Sequence, residues 1–400
     1  MSFYVGRKSI RRVPGIVVKP IPLPQPHITE GFCSRTQVGV LCQQHGFSSV
    51  LLVTDKTLAE LGFHHAIEQS LVEAGIPCAL FCNINSEPTV GIVSEGRDAA
   101  RACQADCIIA LGGGSVLDSC KIIAASAKHP QRSIDFFLRK FVFAKTIPLI
   151  MIPSTAGTGA ETTIGAVIRN RRGVKHASVL AGLQIPEVIL DSELTINAPE
   201  RVTMACGIDA LSHGLEGCLA DVRVASEDLR KSQTCVRLVL ENLPALKDDP
   251  HNVERRQALC LAAHYGGNAI NKQLAGYIHA FAHTLGGIYH VSHGEVIARC
   301  MLPVLAFHKD LCRAQLADLG RFCEVANADD SDEMAVLKFY EKVRQTLKQC
   351  GFSGGFDAIS WKDFPKLIHG INLDSVNYSP PKTLTNREIV GLLRQIKQGI

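Results

Sequence analysis

The sequence is short of several things, and each shortage excludes something. Aromatic residues make up 6% of the 400, with one Trp, and no stretch approaches the ~18–20 uninterrupted apolar residues of a membrane-spanning helix. No membrane partner is expected. Neither sign of charge dominates: 42 Lys and Arg stand against 38 Asp and Glu, a net charge of +4, and no long basic run occurs. Nucleic acid is therefore not expected as a partner. The fifteen cysteines are an odd number and contain no C-x-x-C pair. They read as reduced, mostly buried thiols rather than a disulfide framework or a zinc module. The apolar run at residues 13–18 is broken by Pro14 and Gly15 and is too short for a signal-peptide core. A cytoplasmic protein is the expectation.

Four hundred residues suffice for two domains with sizeable cores. Short apolar runs at 49–54, 78–82, 107–111 and 148–152 alternate with helical patterns at 36–45, 90–104 and 116–127. Buried strands separated by helices predict a mostly parallel, Rossmann-like sheet. After about residue 199 the strand signal stops. Helical patterns follow at 206–220, 226–243, 253–269, 274–285, 295–307, 332–350 and 386–398. An α/β domain is expected over 1–195 and an all-helical domain over 196–400. Residues 1–30 hold five prolines and read as an extended arm.

Two stretches of the helical half carry metal-ligand chemistry. Tyr277 to Glu295 holds four histidines, His279, His283, His290 and His293. His279 and His283 are four apart and share a helical face. Gly286 and Gly287 are expected to break that helix, so that His290 or His293 returns to the same point. Upstream, Asp209 and His213 are again four apart, with Glu216 one turn further on. A carboxylate and an imidazole so spaced can fill two positions of a metal, with His279 and His293 as suppliers of the others. The plainer alternatives are a solvated histidine cluster and a first-turn helix acid.

In the α/β half, Gly112-Gly-Gly-Ser-Val-Leu-Asp118 follows a strand and opens a helix. Backbone N–H groups there can approach a pyrophosphate at the helix N-terminus. The run lacks the G-x-G-x-x-G spacing, and a tight turn without ligand would look the same. Ser115 is expected to cap the helix. A second loop after a strand offers the hydroxyls of Ser154, Thr155 and Thr158. Asp55 ends a strand, where an acid can accept both ribose hydroxyls of an adenosine and repel a 2′-phosphate.

Five segments in sequence order resemble the iron-containing (group III) alcohol dehydrogenases, of dehydroquinate-synthase-like fold. They are GGGSVLD at 112–118, IPSTAGTGAE at 152–161, LDSELT at 190–195, GIDALSHGLEG at 207–217 and HAFAHTLGGIYHVSHG at 279–294. The resemblance implies hydride transfer between an alcohol, or its aldehyde or ketone, and NAD(H). It implies one divalent metal, Fe²⁺ or Zn²⁺, held by Asp209, His213, His279 and His293, with His283 as a further active-site residue. Gly113, Gly114, Ser115 and Asp118 fall on the phosphate-binding turn, Ser154, Thr155 and Thr158 on the second loop, and Lys175 on a lysine near the cofactor. A homodimer or higher homo-oligomer is implied. Lyases or cyclases of the same fold use NAD transiently and form the alternative, with a non-catalytic relative as a third reading. Lys272 and Gln273 stand where small residues are expected and would approach the substrate channel; Glu87 departs from a common asparagine.

Overall fold

The computed structural model describes residues 23–84, 88–171, 173 and 175–399, with only the backbone of Lys175. Glu87 and most of the expected N-terminal arm lie outside these residues. The described chain forms two compact units that meet in sequence at Ala198 and Pro199.

The first unit is built on a parallel sheet of six strands: β1 (His27–Glu30), β2 (Val50–Asp55), β3 (Cys78–Ile84), β4 (Cys107–Gly112), β6 (Leu149–Pro153) and β9 (Glu187–Leu190). Their order is β1-β9-β6-β4-β2-β3. On one face Val50, Leu52, Ile109, Leu111 and Ile150 pack against Val38, Leu41, Ile67 and Leu71 of covering helices. The alternate residues Leu51, Ile108 and Met151 are equally inaccessible. Burial on both faces is why these strands read as continuous apolar runs. Each such side chain contributes roughly 1.5–3 kcal/mol of burial energy.

The strand order also fixes where a ligand can bind. The connection leaving β2 runs outward to β3, and the one leaving β4 runs the other way, to β6. In an open parallel sheet, the crevice at the carboxyl ends of two strands whose connections diverge is the binding place. Here it lies between Asp55, which ends β2, and Gly112, which ends β4.

Two expectations for the first unit need correction. Residues 27–30 are not part of an arm: they form β1, paired in parallel with β9 through His27↔Glu187 to Glu30↔Leu190. A second sheet was not foreseen. It comprises β5 (Phe141–Phe143), β7 (Gly165–Arg169) and β8 (Lys175–Ala181), with β7 antiparallel to β8. Its strands β5 and β7 are short and only partly buried, so they lack the apolar density that marked the others.

The second unit is helical, with no strand among its described residues. Helix Glu200–Leu219 is its axis, buried along most of its length and packed by helices Ser226–Asn242, Val253–Gln273 and His293–His308. Helices Arg313–Phe322 and Phe364–Ser375 add to those expected. The predicted break at Gly286 and Gly287 does not occur. Helix Tyr277–Tyr289 runs through both and stops at His290, whose φ of 55° is left-handed. The chain then turns back, so close that a Cβ on Gly286 would lie 3.3 Å from the Val291 carbonyl. Helical glycines cost ~1 kcal/mol each, less than the burial energy of the helix's apolar face.

Candidate metal centre and nucleotide loop

Helix periodicity brings the first pair together. Asp209 and His213 face the same way from helix Glu200–Leu219, with Asp209 Oδ1 3.7 Å from His213 Nε2. Helix Tyr277–Tyr289 adds His279, whose Nε2 lies 3.6 Å from the same oxygen. The rings of His213 and His279 stack with centroids 4.7 Å apart. His293 begins the next helix and reaches Asp209 Oδ1 at 3.3 Å. Its approach depends on Gly294, where a Cβ would sit 2.5 Å from the Ala205 carbonyl, one turn before Asp209. His290, at the helix end, is exposed and takes no part.

The cluster has the chemistry of a cation site. Asp209 Oδ1 and His279 Nε2, which face each other across the cluster, are buried polar atoms without a hydrogen-bond partner, an arrangement that is costly unless something binds them. Tetrahedral ligands with bonds of ~2.0–2.1 Å lie about 3.3–3.4 Å apart, and the spacings here are 3.3–3.7 Å. Asp209, His213 and His279 form the tight group; His293, with its side chain 39% exposed, closes the solvent side. Burial first, only partly offset by Asp209, pulls the His213 pKa down to about 4, so this ring is neutral and able to ligate. Asp209 stays well below the usual carboxylate range: burial opposes its charge, but His213 and His293 outweigh it. For His279, burial is overcome by Glu216 and then Asp209, and the pKa rises to about 10. Both carboxylates thus attract positive charge to this point.

Glu216 is the residue that sequence reasoning left without a role. It is buried, and its Oε2 lies 2.6 Å from His279 Nδ1 while Oε1 accepts from the Ile278 N–H at 2.6 Å. Because Glu216 holds a proton on Nδ1, Nε2 on the Asp209 side is the nitrogen that would give up its proton to ligate a metal; carboxylate–histidine pairs orient metal ligands in this way. Its position one turn beyond His213 was the only available signal. Gly276 makes room for it, since a Cβ there would lie 2.8 Å from Glu216 Oε1.

His283 lies one turn from His279, half exposed. Its Nδ1 is 3.1 Å from Asp374 Oδ2 and 2.9 Å from the Tyr378 hydroxyl. Its ring lies against that of His293, centroids 5.2 Å apart. Gln273 does not approach a channel: it is buried, donating to the Gly217 carbonyl at 2.8 Å and accepting from Ser232 Oγ at 2.6 Å. Lys272 turns to Asp228, 3.8 Å away.

In the first unit, the two loops expected at the nucleotide end lie side by side. Ser154 N–H donates to the Gly112 carbonyl at 3.0 Å. Thr155 and Thr158 face the Cα positions of Gly113 and Gly114. The expected cap by Ser115 is not made: Gly113 is the N-cap of helix Gly114–Lys128, and Ser115 lies inside its first turn. Asp118 is engaged through both carboxylate oxygens. Its Oδ1 accepts from Lys121 Nζ at 2.9 Å and its Oδ2 from the Val167 N–H at 2.9 Å. Lys121 is fully buried and donates further to Thr163 and the Gly165 carbonyl. The pair therefore fastens the small sheet to the helix behind the glycine turn. Asp55 caps helix Lys56–Glu60, accepting from the Leu58 N–H at 2.9 Å. No described helix is long and apolar enough to cross a membrane.

Known proteins resemble this chain over nearly its whole length. The family model described as iron-containing alcohol dehydrogenase matches residues 26–192, and that of the family's C-terminal region matches residues 203–397. The chain is 30% identical over 391 residues to "Probable alcohol dehydrogenase EutG" of Escherichia coli (strain K12), spanning 96% of this chain and 95% of that one. It is 28% identical to the NAD-dependent methanol dehydrogenase of Bacillus methanolicus, over 90% of this chain and 94% of that one. A crystal structure of 1,3-propanediol oxidoreductase superposes with a TM-score of 0.85 at 27% identity, over 94% of this chain and 100% of that one. The chain belongs to the iron-containing alcohol dehydrogenase family and is a metal-dependent oxidoreductase that uses NAD(H) on an alcohol or its aldehyde.

Proposed function

We propose that Asp209, His213, His279 and His293 hold the catalytic divalent metal, Fe²⁺ or Zn²⁺, and that His283 is the proton-handling residue beside it. The observation that carries this reading is the convergence of three imidazole nitrogens on one buried, unpartnered carboxylate oxygen at 3.3–3.7 Å. When bound, the metal supplies Lewis acidity, lowering the pKa of an alcohol hydroxyl and polarising a carbonyl. Glu216 keeps the His279 proton on Nδ1. Asp209 and His213 close the buried floor, so the substrate oxygen arrives from the exposed side, past His293 and His283. Asp374 and Tyr378 fix the His283 ring through Nδ1, which leaves Nε2 to pass a proton between substrate and solvent.

In the first unit, backbone N–H groups at Gly113, Gly114 and Ser115 receive the pyrophosphate of NAD(H), with hydroxyls from Ser154, Thr155 and Thr158. Asp55 accepts the ribose hydroxyls, and Lys175 lies near the cofactor. Asp118 acts at one remove, by holding the turn through Lys121. The fifteen free cysteines support a reducing, cytoplasmic setting. The active form is a homodimer or larger homo-oligomer, a reading taken from the family resemblance and tested by light scattering.

The experiment is metal counting together with turnover. The purified chain, loaded with Fe²⁺ or Zn²⁺, is screened for NADH formation on a panel of alcohols and for NADH consumption on aldehydes. His279→Ala is expected to lose both ion and turnover. His283→Ala is expected to keep the ion and lose turnover by about 10²–10⁴-fold, the range of a general acid–base group. An ion lost from His283→Ala but retained in His279→Ala would exchange the two roles. Full metal and full activity in both would place the site elsewhere.

A further inference from the structure

The first unit holds a second cluster of metal-ligating side chains, at the start of helix His65–Glu73, sharing no residue with the sites above. His64, His65 and Glu68 each offer a donor atom within 4.8 Å of the others. His64 is 93% buried, at 7% exposure. Its Nδ1 is enclosed and has no partner, and its Nε2 faces Glu68 Oε2 at 3.7 Å, beyond hydrogen-bond reach. A buried imidazole left in this state is disfavoured. The same 3.7 Å separates Asp209 from His213 in the metal centre, and it is a small closure away from tetrahedral ligand spacing.

The local chain accounts for the arrangement. His64 and Glu68 are four apart, so they share one helical face. His65 reaches them by folding back over the preceding turn, its ring 4.2 Å from that of His64. Gly62 makes this possible. It turns with φ +75°, and a Cβ there would lie 3.1 Å from His65 Nδ1. The Cys78 thiol also feels Glu68. Burial first, then Glu68, pushes its pKa up to about 11, so it is a neutral thiol.

We propose that His64, His65 and Glu68 bind one first-row divalent transition-metal ion, with water completing its coordination. Two imidazoles and one carboxylate suit Zn²⁺, Co²⁺, Ni²⁺ or Cu²⁺ and do not suit Mg²⁺ or Ca²⁺, which prefer all-oxygen sites. The ion pins the turn between helix Lys56–Glu60, which Asp55 caps, and helix His65–Glu73. It therefore stabilises the first unit by binding the folded state alone.

The test counts ions on the full chain. Protein already loaded with its catalytic metal is mixed with Co²⁺, freed of excess by gel filtration and analysed for total metal by mass spectrometry. The wild type is expected to carry two ions per chain, with a raised Tm and visible d–d bands from nitrogen and oxygen ligation. His65→Gln and Glu68→Gln alter side chains that reach solvent; each is expected to carry one ion, with the Tm unchanged in the absence of Co²⁺. His279→Ala, which disables only the other centre, is expected to keep one Co²⁺ with the same bands. A wild type that holds one ion overturns the proposal. So do two ions in both variants, or a thiolate-to-cobalt charge-transfer band, which would assign the extra metal to cysteine.

Discussion

Replacing Glu216 by Gln should cost the enzyme its metal without costing it its fold. The buried carboxylate accepts two hydrogen bonds, from the Ile278 N–H and from His279 Nδ1, both at 2.6 Å. An amide of the same shape can accept only one of them. If its oxygen stays on Ile278, its NH₂ faces His279 Nδ1, and the imidazole must move its proton to Nε2, where the lone pair for the metal should be. If the amide flips, NH₂ meets the Ile278 N–H and a buried donor is left unmatched. The first outcome costs about 1–3 kcal/mol, or roughly 10–100-fold in metal affinity, the range seen when a ligand-orienting partner is removed; the second would instead lower the stability of the fold and leave the ion in place. The assay is competition with a chelator for the bound ion, read by mass spectrometry, with circular dichroism to confirm the fold. Gly276→Ala should act in the same direction, because its Cβ would lie 2.8 Å from Glu216 Oε1. A Glu216→Gln protein that holds its ion as tightly as the wild type and is equally stable would refute the argument that this carboxylate sets the His279 tautomer.

Three more outcomes are expected. Lys121→Met should destabilise the chain by about 3–5 kcal/mol in urea unfolding, since it removes the cation from a buried pair, and should raise the KM for NAD by loosening the turn held through Asp118. Asp55→Ser should improve the use of NADP relative to NAD by removing repulsion with the 2′-phosphate. Serine is preferred to the simpler Asp55→Gly because it can still cap Leu58; a wild type that already favours NADP would refute the role of Asp55. Finally, Lys382 first, and then Thr385, lower the pKa of Glu388 to about 2 from an ordinary 4.5. Its contribution to helix Asn386–Gln398 is complete above pH 4.5 and fades as pH falls toward about 2. Hydrogen exchange of residues 386–398 should quicken across that window and stay flat in Glu388→Gln.

What the sequence made legible follows from the range over which its signals act. Asp209 with His213, and His279 with His283, could be read as pairs because four residues is one helical turn. The strands β2, β4 and β6 stood out because both of their faces are buried. By contrast, nothing near Glu216 says that its partner is His279, 63 residues further on. Asp118 was placed on the phosphate-binding turn by the family resemblance alone. Its partners in the fold are a lysine one turn along and the backbone of β7, a strand too short to show a period in the sequence. The glycines at 286 and 287 misled for the same reason. Their intrinsic cost is local, whereas the packing that keeps the helix intact is not, and the turn falls instead at His290, one of the few non-glycine residue types enriched at positive φ. Spacing along the chain thus gives the face a side chain occupies, and only the fold says which face it meets. The residues that orient a ligand, rather than supply one, are therefore the ones a single sequence hides, and Glu216 and Lys121 are the places where mutation should reveal more than the motifs do.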